Sequence, residues 1–441
     1  MRAVLALFLV DSAHGLGMTA GTATALVGAY MSACYLTTLP GGWVADRVLG
    51  PRRTALTGGS VILLGHLCLA LDLGAGTIFT GLFLIAIGTG LQKPSMTAMV
   101  GTLYARRSDR ERDAAYSRFY ASINIGALVS TLIVGWFGVR FGWSVAFGSA
   151  AVGMTLSLVV FVLSSSLKAL DKPPSRPLSR NEAQRIRTRC LSGAVCMLVL
   201  GLPAWGMGVL TLTRCLAAFT VLAVLVPVGY FTKLLRRKDL HARDRSGLRA
   251  YAWLFASAVV FWCISDLAAS NVQLFTNDHV DMMGMPMTWQ SALNPLLIIV
   301  SGGALSVVWR RVHVSAPAKF STGLLLCGAS FLLLSVAAAQ AAGGARVSLL
   351  WLFGLYLLQT LGELFLGPTG LSISHKLAPA GMGSQLAALF YLAESVGDAV
   401  GGQVASRLNG TTLYLTLGGL AVGVGLGMAV AAPRVRALTG E

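Results

Sequence analysis

The sequence predicts an all-α polytopic membrane protein, and three observations carry that expectation. Charged residues are 12% of 441 positions, about half the roughly 25% usual for soluble domains. Hydrophobic residues reach 55%, and the mean hydropathy is +0.72. Thirteen apolar segments have the roughly 20 residues that a helix needs to cross a bilayer. So few charges could not cover that much apolar surface in water, so lipid must be the solvent for most of the chain.

The elements follow in order. A short apolar stretch at 3–16 opens the chain and falls short of a full span. Full spans follow at 22–45, 54–72, 77–101, 115–138 and 142–164. Two more, 190–210 and 212–232, lie between basic linkers. The first linker runs from Lys168 to Arg189 and contains Pro173, Pro174 and Pro177; the second runs from Lys233 to Arg249. The last six spans are 250–272, 289–310, 317–339, 348–374, 382–405 and 411–431. Setting the middle pair aside leaves six helices plus six, the layout of major facilitator transporters. The expected fold is therefore a major facilitator fold of 12 core helices, the first one short, plus 2 extra central helices. Its expected divisions are an N-terminal six-helix bundle at 1–165, a linker region with the extra helices at 166–249, and a C-terminal bundle at 250–441. Internal repetition is faint: Pro40-Gly41-Gly42 precedes Asp46-Arg47, and Ser301-Gly302-Gly303 precedes Arg310-Arg311. Gly419, Gly423 and Gly427 form a small-residue ridge expected to pack the last helix against a neighbour.

The net charge of +17 is explained by where the charge lies. Of 34 Lys and Arg residues, 28 fall in alternate inter-helix loops or the C-terminal tail, seven in each of the two central linkers. Such alternation follows the positive-inside rule and places both linkers in the cytoplasm. Anionic lipid head groups are the partners this balance implies. The basic loops lack interleaved aromatics, which argues against nucleic acid.

Catalytic and cofactor signals are missing. The seven cysteines lie in or beside apolar stretches without C-x-x-C spacing, and read as small packing residues. Residues 1–10 carry no signal-peptide frame. There is no Ser/His/Asp set, no HExxH and no phosphate-binding loop around Gly88-x-Gly90. His66, alone on an apolar face, reads as a satisfied core residue. An enzyme is not expected, no cofactor is implied, and no oligomer is required.

Ionisable residues inside spans are costly and therefore functional candidates. Lys93, Asp266, Glu363, Glu394 and Asp398 meet that test. Lys93 precedes Pro94, and Glu363 lies five residues before Pro368; a helical proline removes a backbone hydrogen bond and disturbs the helix. A zwitterionic solute could satisfy Lys93 with its carboxylate and Glu363 with its amine. Glu394 and Asp398, four residues apart, share one helical face and are either functional acids or the lining of a wet cavity. Asn124, Asn294, Tyr35 and Trp262 are either cavity-lining groups or inter-helix contacts.

These motifs together resemble the proton-dependent oligopeptide transporter family of the major facilitator superfamily. Gly41-Gly42-Trp43-Val44-Ala45-Asp46-Arg47-Val48-Leu49-Gly50 is similar to that family's GGWLADRxLG. Gly88 to Pro94 resembles its GTGxxKPN run, and Phe119 to Gly126 its FYxxINxG signature. Phe261-Trp262 followed by Asp266 resembles FWxxxEQ. Leu293-Asn294-Pro295 and Leu361 to Leu364 resemble the eighth- and tenth-helix motifs, and the extra helix pair fits bacterial members. The resemblance implies proton-coupled uptake of di- and tripeptides by alternating access. It assigns proton coupling to Lys93, Glu363 and Asp266. It assigns peptide binding to Tyr35, Lys93, Asn124, Trp262, Asn294, Glu363 and Phe390, with Lys93 on the peptide carboxylate and Glu363 on its amine.

Departures from the family pattern are specific. Asp266 and Leu267 replace the family's Glu-Gln, Ser95 replaces Asn, and Phe390 stands where a Trp is expected. The first-helix motif E-x-x-E-R-F-x-Y-Y-G is absent, and Met1-Arg2-Ala3 resembles the residues just after it. An in-frame upstream segment carrying that motif is therefore expected. Two other functions stay open at this level: a major facilitator carrier for another small solute, and a degenerate membrane protein that does not transport. The expected location is a bacterial inner membrane.

Overall fold

The computed structural model describes every residue except 1, 105–108, 165–167, 169, 172, 175–176, 209, 239, 312–313, 378–382, 409 and 440–441. Arg106, Arg107, Lys172 and Arg176, counted among the loop charges, lie outside the described residues. The chain is almost entirely helical. In the first part run α1 (Arg2–Val10), α2 (Ala20–Leu36), α3 (Thr38–Val44), α4 (Pro51–Leu71), α5 (Ala75–Leu103), α6 (Asp109–Phe141) and α7 (Trp143–Leu163). The extra pair is α8 (Arg180–Gly206) and α9 (Leu212–Leu235). Then come α10 (Ala242–Ser265), α11 (Asn271–His279), α12 (Leu293–Arg311), α13 (Ala316–Ala341), α14 (Leu350–Lys376), α15 (Gly383–Ala405) and α16 (Gly410–Thr439). A two-residue parallel bridge pairs Val280 with Val347 and Asp281 with Ser348.

Nine helices among the described residues are long and apolar enough to cross a membrane. Some expected spans break locally. The span expected at 22–45 divides at Thr37, whose hydroxyl donates to the carbonyls of Ala33 and Ala86. Pro40 then falls in the first turn of α3, where its missing N–H is tolerated. The span expected at 250–272 stops at Ser265, and a 3₁₀ turn over Asp266–Ala269 leads into α11. Asn294 and Pro295 occupy the first turn of α12, again where proline fits a helix.

Two clusters of buried side chains organise the molecule. The first joins α1, α2, α4, α5 and α7, and its Phe8 ring packs edge-on against Phe147 at 5.3 Å. The second joins α10, α13, α14, α15 and α16, with Phe261, Phe331, Tyr356 and Tyr414 buried in it. Outward-facing Leu64, Phe83, Ile133, Val160 and Val430 are exposed, as lipid-facing side chains of a spanning bundle should be.

Glycine lets the backbones close up where helices cross. A Cβ on Gly58 would collide with the Gly88 carbonyl, and one on Gly328 with the Gly418 carbonyl. The last helix uses a different face from the one expected. Gly419, Gly423 and Gly427 have open space where a Cβ would stand, whereas Gly418 and Gly425 press against α13. The four-residue repeat marked a smooth face, but neighbouring glycines one step around the helix carry the contact.

The clusters meet chiefly at the helix ends remote from the basic linkers. There α2 packs along α15, and α6 along α12 and the 3₁₀ turn before it. Gly28 lies so close to the Asp398 carbonyl and Gly402 that a side chain would not fit. Deeper in, the Ser32 and Ser395 hydroxyls are 2.9 Å apart, and Ser395 also donates to the Ser32 carbonyl. On the other flank the Trp289 indole donates to the Leu132 carbonyl at 3.1 Å.

Helix α9 bridges this seam. Its Leu216 belongs to the first cluster, while Phe231 and Leu234 belong to the second. The Thr220 hydroxyl reaches the Ala399 carbonyl of α15 at 3.4 Å. At the basic end, Glu182 of α8 pairs with Arg47 at 3.1 Å, and Asp171 pairs with Arg53 at 3.0 Å.

Candidate functional site

Lys93 sits midway along α5, beside Pro94. Its ammonium lies 4.0 Å from the ring centroid of Tyr35 on α2 and 5.4 Å from that of Tyr391 on α15. Both distances are within the roughly 6 Å reach of a cation–π contact. One cation therefore touches helices of both clusters.

Glu363 lies on α14, also a helix with an internal proline, Pro368. Its carboxylate accepts from the Asn294 amide of α12 at 3.0 Å, and the same amide group donates to Thr360 at 3.1 Å. Thr360 is one turn before Glu363, so the two face Asn294 together. A hydrogen bond to a charged acceptor at this depth is directional and strong.

Tyr120 of α6 lies near these groups and is half exposed. It is within electrostatic reach of Glu363, Glu394 and Tyr391. Asn124, one turn further on and 7% exposed, donates to the Tyr120 carbonyl at 3.0 Å. Across the two parts, Lys93 meets Tyr391, and Tyr120 is within reach of Glu363, Tyr391 and Glu394.

The remaining expected residues sit around that set. Trp262 of α10 packs edge-on against Phe261 at 5.2 Å, and its indole N–H is buried without a hydrogen-bond partner among the described residues. Phe390 is buried against Gly370 of α14, where any Cβ would overlap its ring. Asp266 starts the 3₁₀ turn after α10 and is in electrostatic range of Glu363. With Asp398, Ser270, Gly28 and Met31 it lines a small cavity of about 10 Å³ at the seam, about the room one water needs. His66 is buried as expected, but its Nδ1 has no partner among the described groups.

Tyr391, Thr360 and the Ser32–Ser395 pair were not anticipated. Tyr391 and Thr360 do lie within one turn of residues the sequence singles out, and that spacing was the available signal. No cluster able to hold a metal occurs among the described residues.

A family model described as the POT family matches residues 52–417. The chain belongs to the POT family. It is 34% identical over 439 residues to an uncharacterized transporter of Bacillus subtilis, covering 96% of this chain and 88% of that one. It is 33% identical over 423 residues to a di-/tripeptide transporter of Lactococcus lactis subsp. cremoris, covering 92% and 85%. Its backbone superposes with a TM-score of 0.95 on a crystal structure of a peptide transporter POT in complex with sulfate, at 32% identity, over 99% of this chain and 91% of that one. The POT fold accounts for the polytopic all-helical architecture, and the protein is a multi-pass membrane transporter.

Proposed function

We propose that this POT protein carries di- and tripeptides across the bilayer together with protons, by alternating access. Its similarity to a di-/tripeptide transporter supports the substrate class. The observation that carries the reading is the opposed pair of charges. Lys93 reaches from α5 to the α15 ring of Tyr391, while Glu363 is set by Asn294 on the other side. A peptide zwitterion complements both.

In this reading Lys93 takes the peptide carboxylate and Glu363 the amine. Tyr35, Asn124, Trp262, Asn294 and Phe390 shape the pocket, and the Trp262 indole N–H serves a peptide carbonyl. Protons move through Lys93, Glu363 and Asp266. Asp266 acts as a gate, because it borders the seam that must part when the far side opens. Residues 1–165 and 250–441 are the two moving bundles, and 166–249 joins them through the extra helices. With the basic linkers in the cytoplasm of a bacterial inner membrane, the closed seam faces outward and the site opens inward. The role is transport and not catalysis, with lipids and protons as partners.

Counterflow of labelled Ala-Ala in proteoliposomes tests this, followed by accumulation driven by an imposed proton gradient. Saturable counterflow and proton-driven accumulation are expected. Absence of both would refute the reading. Cysteines introduced at Lys168 and Ser246 should resist impermeant thiol reagents in intact cells. Labelling from outside would reverse the assigned topology.

A further inference from the structure

The 3₁₀ turn Met287–Ala292 is held on two sides. On one side it meets α6 of the first part. There the Trp289 indole donates to the Leu132 carbonyl at 3.1 Å. Gly135 leaves room for Thr288, whose hydroxyl a Cβ at that glycine would strike. On the other side the turn runs straight into α12, whose first turn carries Asn294. Asn294 holds the Glu363 carboxylate at 3.0 Å and Thr360 at 3.1 Å.

One side chain of α11 ties this turn down. Gln273 is fully buried. Its amide nitrogen donates to the Met287 carbonyl at 3.1 Å. Its amide oxygen accepts from the Gln290 amide at 2.7 Å and from the Ser291 hydroxyl at 3.2 Å. The Gln290 oxygen in turn accepts from the Thr276 hydroxyl. Both ends of the Gln273 amide therefore bind the turn, at its first residue and near its last. A polar group left over at this depth is costly, so the satisfied network favours one geometry of the turn. Asn294 follows Ser291 by three residues, so it is carried by whatever the turn does.

We propose that Gln273 is a positioning residue for the amine end of the site: by making the turn one block, it lets Asn294 hold Glu363 only while the turn is docked against α6. The inference rests on the transport reading above, in which α6 and the turn belong to bundles that part and Glu363 takes the peptide amine. When α6 leaves, Thr288 and Trp289 lose their contacts, and a stiff turn passes the displacement to Asn294. A loose turn would absorb it.

Counterflow in liposomes of purified protein tests this. Labelled Ala-Ala is the reporter, and unlabelled Ala-Ala competes against propionyl-Ala, which is Ala-Ala without its amine. The ratio of the two inhibition constants reads the amine end, and the wild type should prefer Ala-Ala. Gln273→Met, similar in volume and without the amide, should cut that preference at least about fivefold. Trp289→Phe should cut it in the same direction. A protein that merely folds less well loses reporter flux without moving the ratio. In an Asn294→Leu background, where Glu363 keeps its charge, Gln273→Met should change the ratio by less than about twofold. An unchanged ratio in Gln273→Met, or an equal drop with and without Asn294, would overturn the positioning role. An unchanged ratio in Trp289→Phe would overturn the dependence on α6. Where Gln273→Met fails to fold, Ser291→Ala removes one bond to Gln273 and leaves the others. It should lower the ratio about twofold, and an unchanged ratio there overturns the role equally. No Ala-Ala counterflow by the wild type would overturn the transport reading and this inference with it. Ala-Ala counterflow inhibited equally well by propionyl-Ala would leave transport standing and overturn the inference, because no amine would then be read.

Discussion

Lys93 and Glu363 are held in different ways, although both are ionisable groups at membrane depth. The Lys93 ammonium lies over two aromatic faces, one from a helix of each cluster. The Glu363 carboxylate is tied to a side-chain amide that is itself fixed to Thr360. A π face offers a broad, shallow attraction along which a cation can slide. A hydrogen bond fixes direction and distance. Under the transport reading proposed above, the labour divides: the carboxylate would be the pre-set end of the site, and the ammonium the end that changes partners.

Removing the fixed end should have the largest effect. Glu363→Ala removes the charged one of Asn294's two acceptors and leaves the substrate amine without a counter-charge. Losing a buried charged partner costs about 3–5 kcal/mol, so peptide counterflow is expected to fall by more than about 100-fold. Measured counterflow within a few-fold of wild type would break the assignment. Removing the moving end should uncouple before it unbinds. Lys93→Ala is expected to abolish proton-driven accumulation while retaining measurable exchange. Intact accumulation would show that the ammonium has no coupling role.

The second rank of effects separates the two kinds of contact. Asn294→Leu deletes a hydrogen bond to a charged group, worth about 1.5–3 kcal/mol. Apparent peptide affinity in a competition assay should drop by about 10- to 100-fold. Tyr391→Leu deletes one aromatic face of two, worth about 0.5–2 kcal/mol, and should cost about 2- to 30-fold. If the tyrosine variant proves the worse of the two, the contrast between a fixed and a sliding end is wrong.

Much of this site was legible in the sequence because burying charge in lipid is expensive. That rule picks out Lys93, Glu363 and Asp266 without any structure. Spans and basic linkers were legible for a similar reason, since length, hydropathy and loop charge are one-dimensional properties. Partner choice is not. Tyr391 stands in an apolar run, where an aromatic reads as core, and only the approach of α5 to α15 shows that its ring supports a lysine. The ridge at Gly419, Gly423 and Gly427 failed for the same reason: a repeat reports that a face is smooth, not which helix lies against it. The break at Asp266 depends on how α10 meets α11 and α15, which no local pattern encodes.

The smallest expected effect comes from a carboxylate in water, and it sharpens what burial does to Glu363. Glu182, at the start of α8, is exposed. It accepts from the Ser179 backbone N–H at 3.0 Å and from its hydroxyl at 3.1 Å, and it pairs with Arg47. The hydrogen bonds from Ser179, with the Arg47 charge, hold its carboxyl below the usual glutamate range. The sign follows directly. A carboxyl with a lowered value in the folded state stabilises the fold above its unfolded value, and the contribution is lost as pH falls through the lowered folded value. Between about pH 5 and pH 8 it is constant. An exposed ion pair of this kind contributes little and is screened by salt. Glu182→Gln should therefore leave peptide counterflow within about twofold of wild type, and should slightly speed proteolysis of the 168–182 linker at neutral pH. That difference should shrink in high salt and disappear as pH falls through the lowered folded value, where the wild-type carboxylate loses its charge. A transport defect in Glu182→Gln comparable to that of Glu363→Ala would mean that depth in the membrane is not what distinguishes the two acids.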